Sequence, residues 1–171
     1  MKNFAKFLTI LFAGLFLATA AYGQSDVASA SATIYSALTI TNVNDLNFGV
    51  IIPSGTAGDV TIDAAGAVTR TNNTAHPSST TSTATFNVVG EPSKTYTIAI
   101  NNPPITLTGP GANTMTISAI VSSPAEGAGT GTLSLAGTQT ISVGGTLDVG
   151  ANQAAGVYTN ANAITVTINY N

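Results

Sequence analysis

The stretch that decides the fold runs Ala84-Thr85-Phe86-Asn87-Val88-Val89-Gly90-Glu91-Pro92-Ser93-Lys94-Thr95-Tyr96-Thr97-Ile98-Ala99-Ile100. Ala84, Phe86 and Val88 alternate with Thr85 and Asn87, and Tyr96, Ile98 and Ile100 alternate with Thr95, Thr97 and Ala99. A period of two is what a strand buried on one face requires. Between the runs, Glu91-Pro92-Ser93-Lys94 puts a proline into a tight connection. Two neighbouring strands are expected here.

The same period recurs outward in both directions. Further strands are expected at Asp45–Ile51, Gly58–Asp63, Met115–Val121, Gly131–Leu135, Thr138–Val143, Thr146–Val149 and Ala163–Tyr170, with Thr95 extending to Asn101. Val143-Gly144-Gly145-Thr146 reads as a two-residue hairpin turn, since glycine supplies the positive φ of primed turns. Asn102-Pro103-Pro104 should stop a strand, because proline cannot donate to the ladder. Residues 69–83, mostly Thr, Ser and Asn, read as an exposed loop with frayed strand edges, and Gly127-Ala128-Gly129-Thr130-Gly131 as a hairpin tip. No window carries the 3.6-residue apolar stripe of a helix. The expected class is all-β, an immunoglobulin-like antiparallel β-sandwich of about seven to ten short strands. A membrane barrel would need longer strands and aromatic girdles, against 6% aromatic residues and no Trp.

Composition narrows the function. Of 171 residues 44% are hydrophobic and 6% charged, four basic against seven acidic, whereas a typical soluble domain is about 25% charged. No basic stripe exists to displace counterions from phosphates, which argues against nucleic-acid binding. The absence of Cys removes disulfides and thiolate metal sites. Lys2 and Lys6, the apolar run Phe7–Ala18 and the small residues Ala21 and Gly23 have the layout of a secretory signal with cleavage before Gln24. Ala18 and Ala20 mark a second cleavage choice. The run is short for a membrane span, which needs about 20 apolar residues. Residues 1–23 are thus expected to be a signal peptide, and the mature chain to keep all seven acids with only Arg70 and Lys94 as bases. It is expected outside the cell, after passing transiently through the periplasm.

Candidates for chemistry are few. His76 is the only histidine and stands before Pro77 in the Ser/Thr-rich loop, without the carboxylate that would orient a catalytic base. Asp59 and Asp63 fall on one face of a strand, with Val60 and Ile62 opposite, and read as its solvent side rather than as an acid–base pair or calcium site. Asn42, Asn44 and Asp45 suit a turn. No enzymatic activity, cofactor or metal is expected.

Several stretches in order resemble a family of secreted bacterial β-sandwich proteins known mainly as a domain of unknown function. They are Leu38-Thr39-Ile40, Leu46-Asn47-Phe48-Gly49-Val50-Ile51, Phe86–Pro92, Tyr96-Thr97-Ile98, Gly137-Thr138, Val143-Gly144-Gly145-Thr146-Leu147, Gln153, Gly156-Val157-Tyr158 and the ending Val166–Asn171. The chain departs from that pattern at Thr159-Asn160-Ala161-Asn162, where the family has another glycine and an aromatic residue. The family is similar to pilins and spore-coat-like subunits assembled through chaperones and ushers. The resemblance implies a fimbria-like structural or adhesive subunit. The alternative is a monomeric secreted binding module, with carbohydrate as a ligand class.

Subunit contacts are expected at the two ends. Ala28, Ala30, Ala32 and Ile34 share one face of residues 24–34, a run that continues to Leu38 and Ile40 and is broken by Ser36. Such a segment can add as a strand to a neighbouring copy, or residues 28–40 can form the first strand of their own sandwich, residues 35–171. At the other end Ile164, Val166, Ile168 and Tyr170 share a face, and Tyr170 is penultimate. The partners implied are further copies of the chain, a periplasmic chaperone and an outer-membrane usher.

Overall fold

A computed structural model describes residues 23–171. The expected signal segment, all but Gly23, lies outside these residues. The chain divides after Thr33. Residues 23–33 carry no strand or turn and are exposed throughout. Ile34–Asn171 form a compact unit built of antiparallel strands, and the described residues contain no α-helix.

The unit is a β-sandwich organised on one long strand. In chain order the strands are β1 (Thr39–Asn44), β2 (Ile51–Pro53), β3 (Gly58–Ile62), β4 (Val68–Thr71), β5 (Asn73–Ala75), β6 (Ala84–Val89), β7 (Thr95–Ile100), β8 (Ile105–Thr108), β9 (Thr114–Ser123), β10 (Gly127–Thr132), β11 (Thr138–Val149) and β12 (Val166–Tyr170). Ser142 and Val143 of β11 pair with β6 and also with β9, so these two strands occupy opposite edges. Gly145–Asp148 pair with β3 and with β9. It follows that β6 and β3 lie end to end along one edge of β11, with β9 along the other. β1 pairs outside β6, β4 outside β3 and β8 outside β9, completing the large sheet. The small sheet has the order β10-β7-β12, and β2 pairs with β5.

Alternation along β11 places Ile141, Val143, Leu147 and Val149 on one buried face. The first two join Ala84, Phe86 and Val88, and across from them Tyr96, Ile98 and Ile100 of the small sheet. The second two join Val60, Ile62, Phe48, Ile105, Leu107, Met115 and Ile117. Two clusters therefore share one strand. Tyr96 is fully buried in the first, with its ring against Gly131, and donates its hydroxyl to Gln139 Oε1 at 2.7 Å. Burial pushes its phenol up to about 12, so it remains a donor at neutral pH.

β6 and β7 fall where alternation puts them, one in each sheet, and Lys94 N–H donates to Glu91 O across the tight turn between them, with Ser93 at φ 60°. β7 stops at Ile100, ahead of Asn102-Pro103-Pro104. Other expectations need correction. Gly144 and Gly145 are not a turn but the middle of β11, both buried. A Cβ on Gly144 would run into the backbone of Ile62 and Asp63, and one on Gly145 would lie 2.9 Å from Ala119 O. The glycines are there for close backbone approach where β11 changes partner from β6 to β3.

Asp45–Ile51 is not a strand. Gly49 has φ +78° and its N–H donates to Asn47 Oδ1, a local turn that ends pairing after the single Asn47–Ser82 bridge. The glycine string 127–131 belongs to β10, whose register shifts between Gly127 and Gly131, and no strand continues to Leu135. Residues 69–83 contain most of β4 and all of β5, and Ile105–Thr108 is a strand that the alternation reading missed. The last strand begins at Val166 rather than Ala163. At the start, only Thr39 onward is strand, so residues 28–38 do not extend β1.

Candidate assembly site

Where β6 ends at Val89, the chain preceding β1 loses its backbone partner. Thr39 pairs with Val89, and beyond it the β6–β7 turn leads away. Side chains take over the pairing at Ser36. Its N–H and Oγ both donate to Glu91 Oε2, at 3.0 and 2.9 Å. Its carbonyl accepts from Tyr170 Oη at 3.0 Å, and the same hydroxyl accepts from Glu91 N–H at 2.6 Å. The Tyr35 ring meets the Tyr170 ring edge to face at 6.1 Å, and Lys94 Nζ sits 4.6 Å from the Tyr35 centroid. Gly90 makes room for this, since a Cβ there would collide with Tyr170 Oη. Tyr35, Ser36, Glu91, Lys94 and Tyr170 thus form a closed clasp.

The two hydrogen bonds from Ser36, backbone first, together with the charge of Lys94, hold the Glu91 carboxyl below its ordinary value. The sign follows from linkage. A lowered carboxyl adds stability above its unfolded value and loses it as pH falls through the folded one. The clasp should stay closed at neutral pH and open only in acid. In an NMR titration of the Glu91 carboxyl carbon, the midpoint is expected below that of a free glutamate, and Ser36→Ala should move it upward. An unchanged midpoint in that variant would contradict the geometry.

Beyond the clasp, toward the N-terminus, Ile34 is 92% exposed. Ala28, Ala30 and Ala32 lie in residues 23–33, unpaired and exposed. At the other end, Ile164, Val166, Ile168 and Tyr170 share one face, half-buried against the Tyr96 cluster, with Val166–Tyr170 paired to β7. β1 pairs only with β6 and β12 only with β7, so each leaves an edge open. Near Ser36 and Tyr170 the clasp joins these two strands. Away from the clasp, a groove of about 1090 Å³ takes in Asn42 of β1 and Ile164, ahead of β12, but no residue of β12 itself. Its floor is core: Phe48, Phe86, Leu107, Met115, Ile117 and Leu147. One wall is residues 45–51 and the other residues 153–161, with Val50 and Val157 on the lining, 54% and 77% exposed. Gln153 Nε2 donates to Tyr158 Oη at 2.8 Å, which itself donates to Ala154 O, bracing the second wall.

The polar candidates have local roles. Asp59 Oδ1 accepts from Thr71 Oγ1 at 2.7 Å, and Asp63 Oδ1 accepts from Ala65 and Ala67 N–H in a turn. His76 Nδ1 lies 2.8 Å from Ser78 Oγ in the exposed segment. Asn42 Nδ2 reaches Asn44 O. Among the described residues no three of His, Asp and Glu gather in a metal-binding group, and no helix is long and apolar enough to cross a membrane. Neither the clasp nor the groove follows from the alternation of the sequence. The one sequence signal for the clasp is Ser36, the polar residue that breaks the apolar face between Ile34 and Leu38.

The fold and this site define an all-β sandwich with an unpaired N-terminal segment, the open edges of β1 and β12 among others, and an apolar groove. Residues 38–170 match the family described as a domain of unknown function (DUF4402), and the chain belongs to it. No curated protein and no solved structure matches the chain.

Proposed function

We propose that the chain is a secreted, fimbria-like structural subunit of a bacterial surface appendage, which polymerises by strand addition and supports adhesion. What supports this reading is the presence in one chain of an unpaired, exposed segment, residues 24–34, alternating from Ala28 onward, and of an apolar groove walled by residues 45–51 and 153–161. An apolar groove, like an open sheet edge, can take up an extended segment whose alternate side chains point inward. Ala28, Ala30 and Ala32 fill shallow positions and Ile34 is the anchor, worth about 1.5–3 kcal/mol if fully buried. Open edges and an apolar groove need cover during export, which suits a periplasmic chaperone and delivery to an outer-membrane usher.

A glycan-binding module is the weaker reading. Sugars are held on exposed aromatic faces, and Phe48 and Phe86 on the groove floor are each 7% exposed.

Deletion of residues 24–33 tests the proposal. These residues add nothing to the buried core, so the truncated protein should keep its melting temperature within a few degrees. It should stay monomeric by sizing and negative-stain microscopy under conditions where the mature chain forms filaments. Filaments of normal yield from the truncated protein would end the proposal.

A further inference from the structure

We infer that Glu91 and Tyr170 are positioning residues for assembly, holding the chain at Ser36 so that residues 24–34 start from a fixed root. This rests on the strand-addition reading. Ser36 is the last point at which the chain entering β1 is gripped on both backbone polar groups, its N–H by Glu91 and its C=O by Tyr170. Tyr35 still touches Tyr170 and Lys94, and one residue further on Ile34 is almost fully exposed, so the contacts end within two residues of Ser36.

Of the clasp's members Tyr170 packs against the Tyr96 cluster, while its two hydrogen-bonding partners stand apart from the core. Glu91 and Ser36 lie at the surface, and neither is among the core residues. Its polar bonds link three distant parts of the chain: Ser36, the β6–β7 turn, and the end of β12. Tyr35 and Lys94 brace it by ring and cation contacts. A strand that must enter a groove in one register gains from a root that does not slide, because a slip of one residue turns its apolar face outward. A clasp of side chains can supply that fixed point where sheet pairing has run out.

The test uses the full mature chain with Glu91→Ala and, separately, Tyr170→Phe. Amide exchange at Ser36 is expected to speed up at least tenfold in Glu91→Ala, while amides of β7 and β11 stay as in wild type. Filament formation should slow at least fivefold in both variants, and Glu91→Gln, which keeps one acceptor oxygen, should fall between. Unchanged exchange at Ser36 would show that the clasp is not closed, and overturn the inference. Faster exchange with filaments forming at the wild-type rate would also overturn it, yet leave strand addition standing. A wild-type chain that forms no filaments at all would overturn both.

Discussion

Gly144→Val lowers the stability of the domain by about 3 kcal/mol, the upper end for overpacked interiors. The expected loss comes from backbone, not from a movable side chain: the new Cβ meets the Ile62 carbonyl and the Asp63 main chain. Relieving it means parting β3 from β11 where Gly145 pairs with Ile62. Gly144→Asn separates this structure from the hairpin that the sequence suggests, because a primed turn accepts asparagine and the middle of a buried strand does not. Gly55→Ala is the control, since a Cβ there meets nothing within 4 Å. Urea unfolding followed by far-UV circular dichroism reads all three. A Gly144→Asn protein as stable as wild type would refute the continuous β11.

Ile141→Ala should cost a similar amount, about 2–5 kcal/mol, through lost transfer energy and the cavity left behind. Ile141 is wholly buried beside its cross-strand partner Phe86 and among the side chains of the small sheet. The informative part is where the damage appears. Ile141 belongs to the Tyr96 cluster, but β11 carries on into the cluster of Val60 and Ile117. Methyl signals of Ile98 in one cluster and Ile117 in the other should vanish at the same, lowered urea concentration. Two separated transitions would mean that the shared strand does not couple the clusters.

What could be read from the sequence was the part that alternation governs. Phe86 and Val88, Tyr96 and Ile98, and Val60 and Ile62 each follow the period of two and are buried as that period demands. The failures have a common cause. Gly144-Gly145 and Gly127–Gly131 carry no side chain to reveal what surrounds them, and glycine serves turns and close packing alike. The Leu46–Ile51 run is apolar enough for a strand, but the Asn47 side chain captures the Gly49 N–H and bends it. The site was legible by halves. The apolar faces of residues 28–34 and 164–170 were visible locally. The clasp joins Ser36 to Glu91 and Tyr170, 55 and 134 residues away, and only the fold brings these together.

The end-to-end placement of β3 and β6 has a further consequence. Ile62 sits opposite Gly145 and Ala84 opposite Val143, only two positions apart along β11. Everything from Asp63 to Thr83 is therefore an excursion inserted into what is otherwise one continuous strand alongside β11. β4 and Val68 tie its first part down, while His76, Pro77 and Ser78 are exposed. Extra sequence after Pro77 would leave the β11 ladder untouched and open only the turn in which Ser79 N–H donates to His76 O. A foreign epitope grafted after Pro77 would be carried on every copy, which makes the domain a ready scaffold for peptide display.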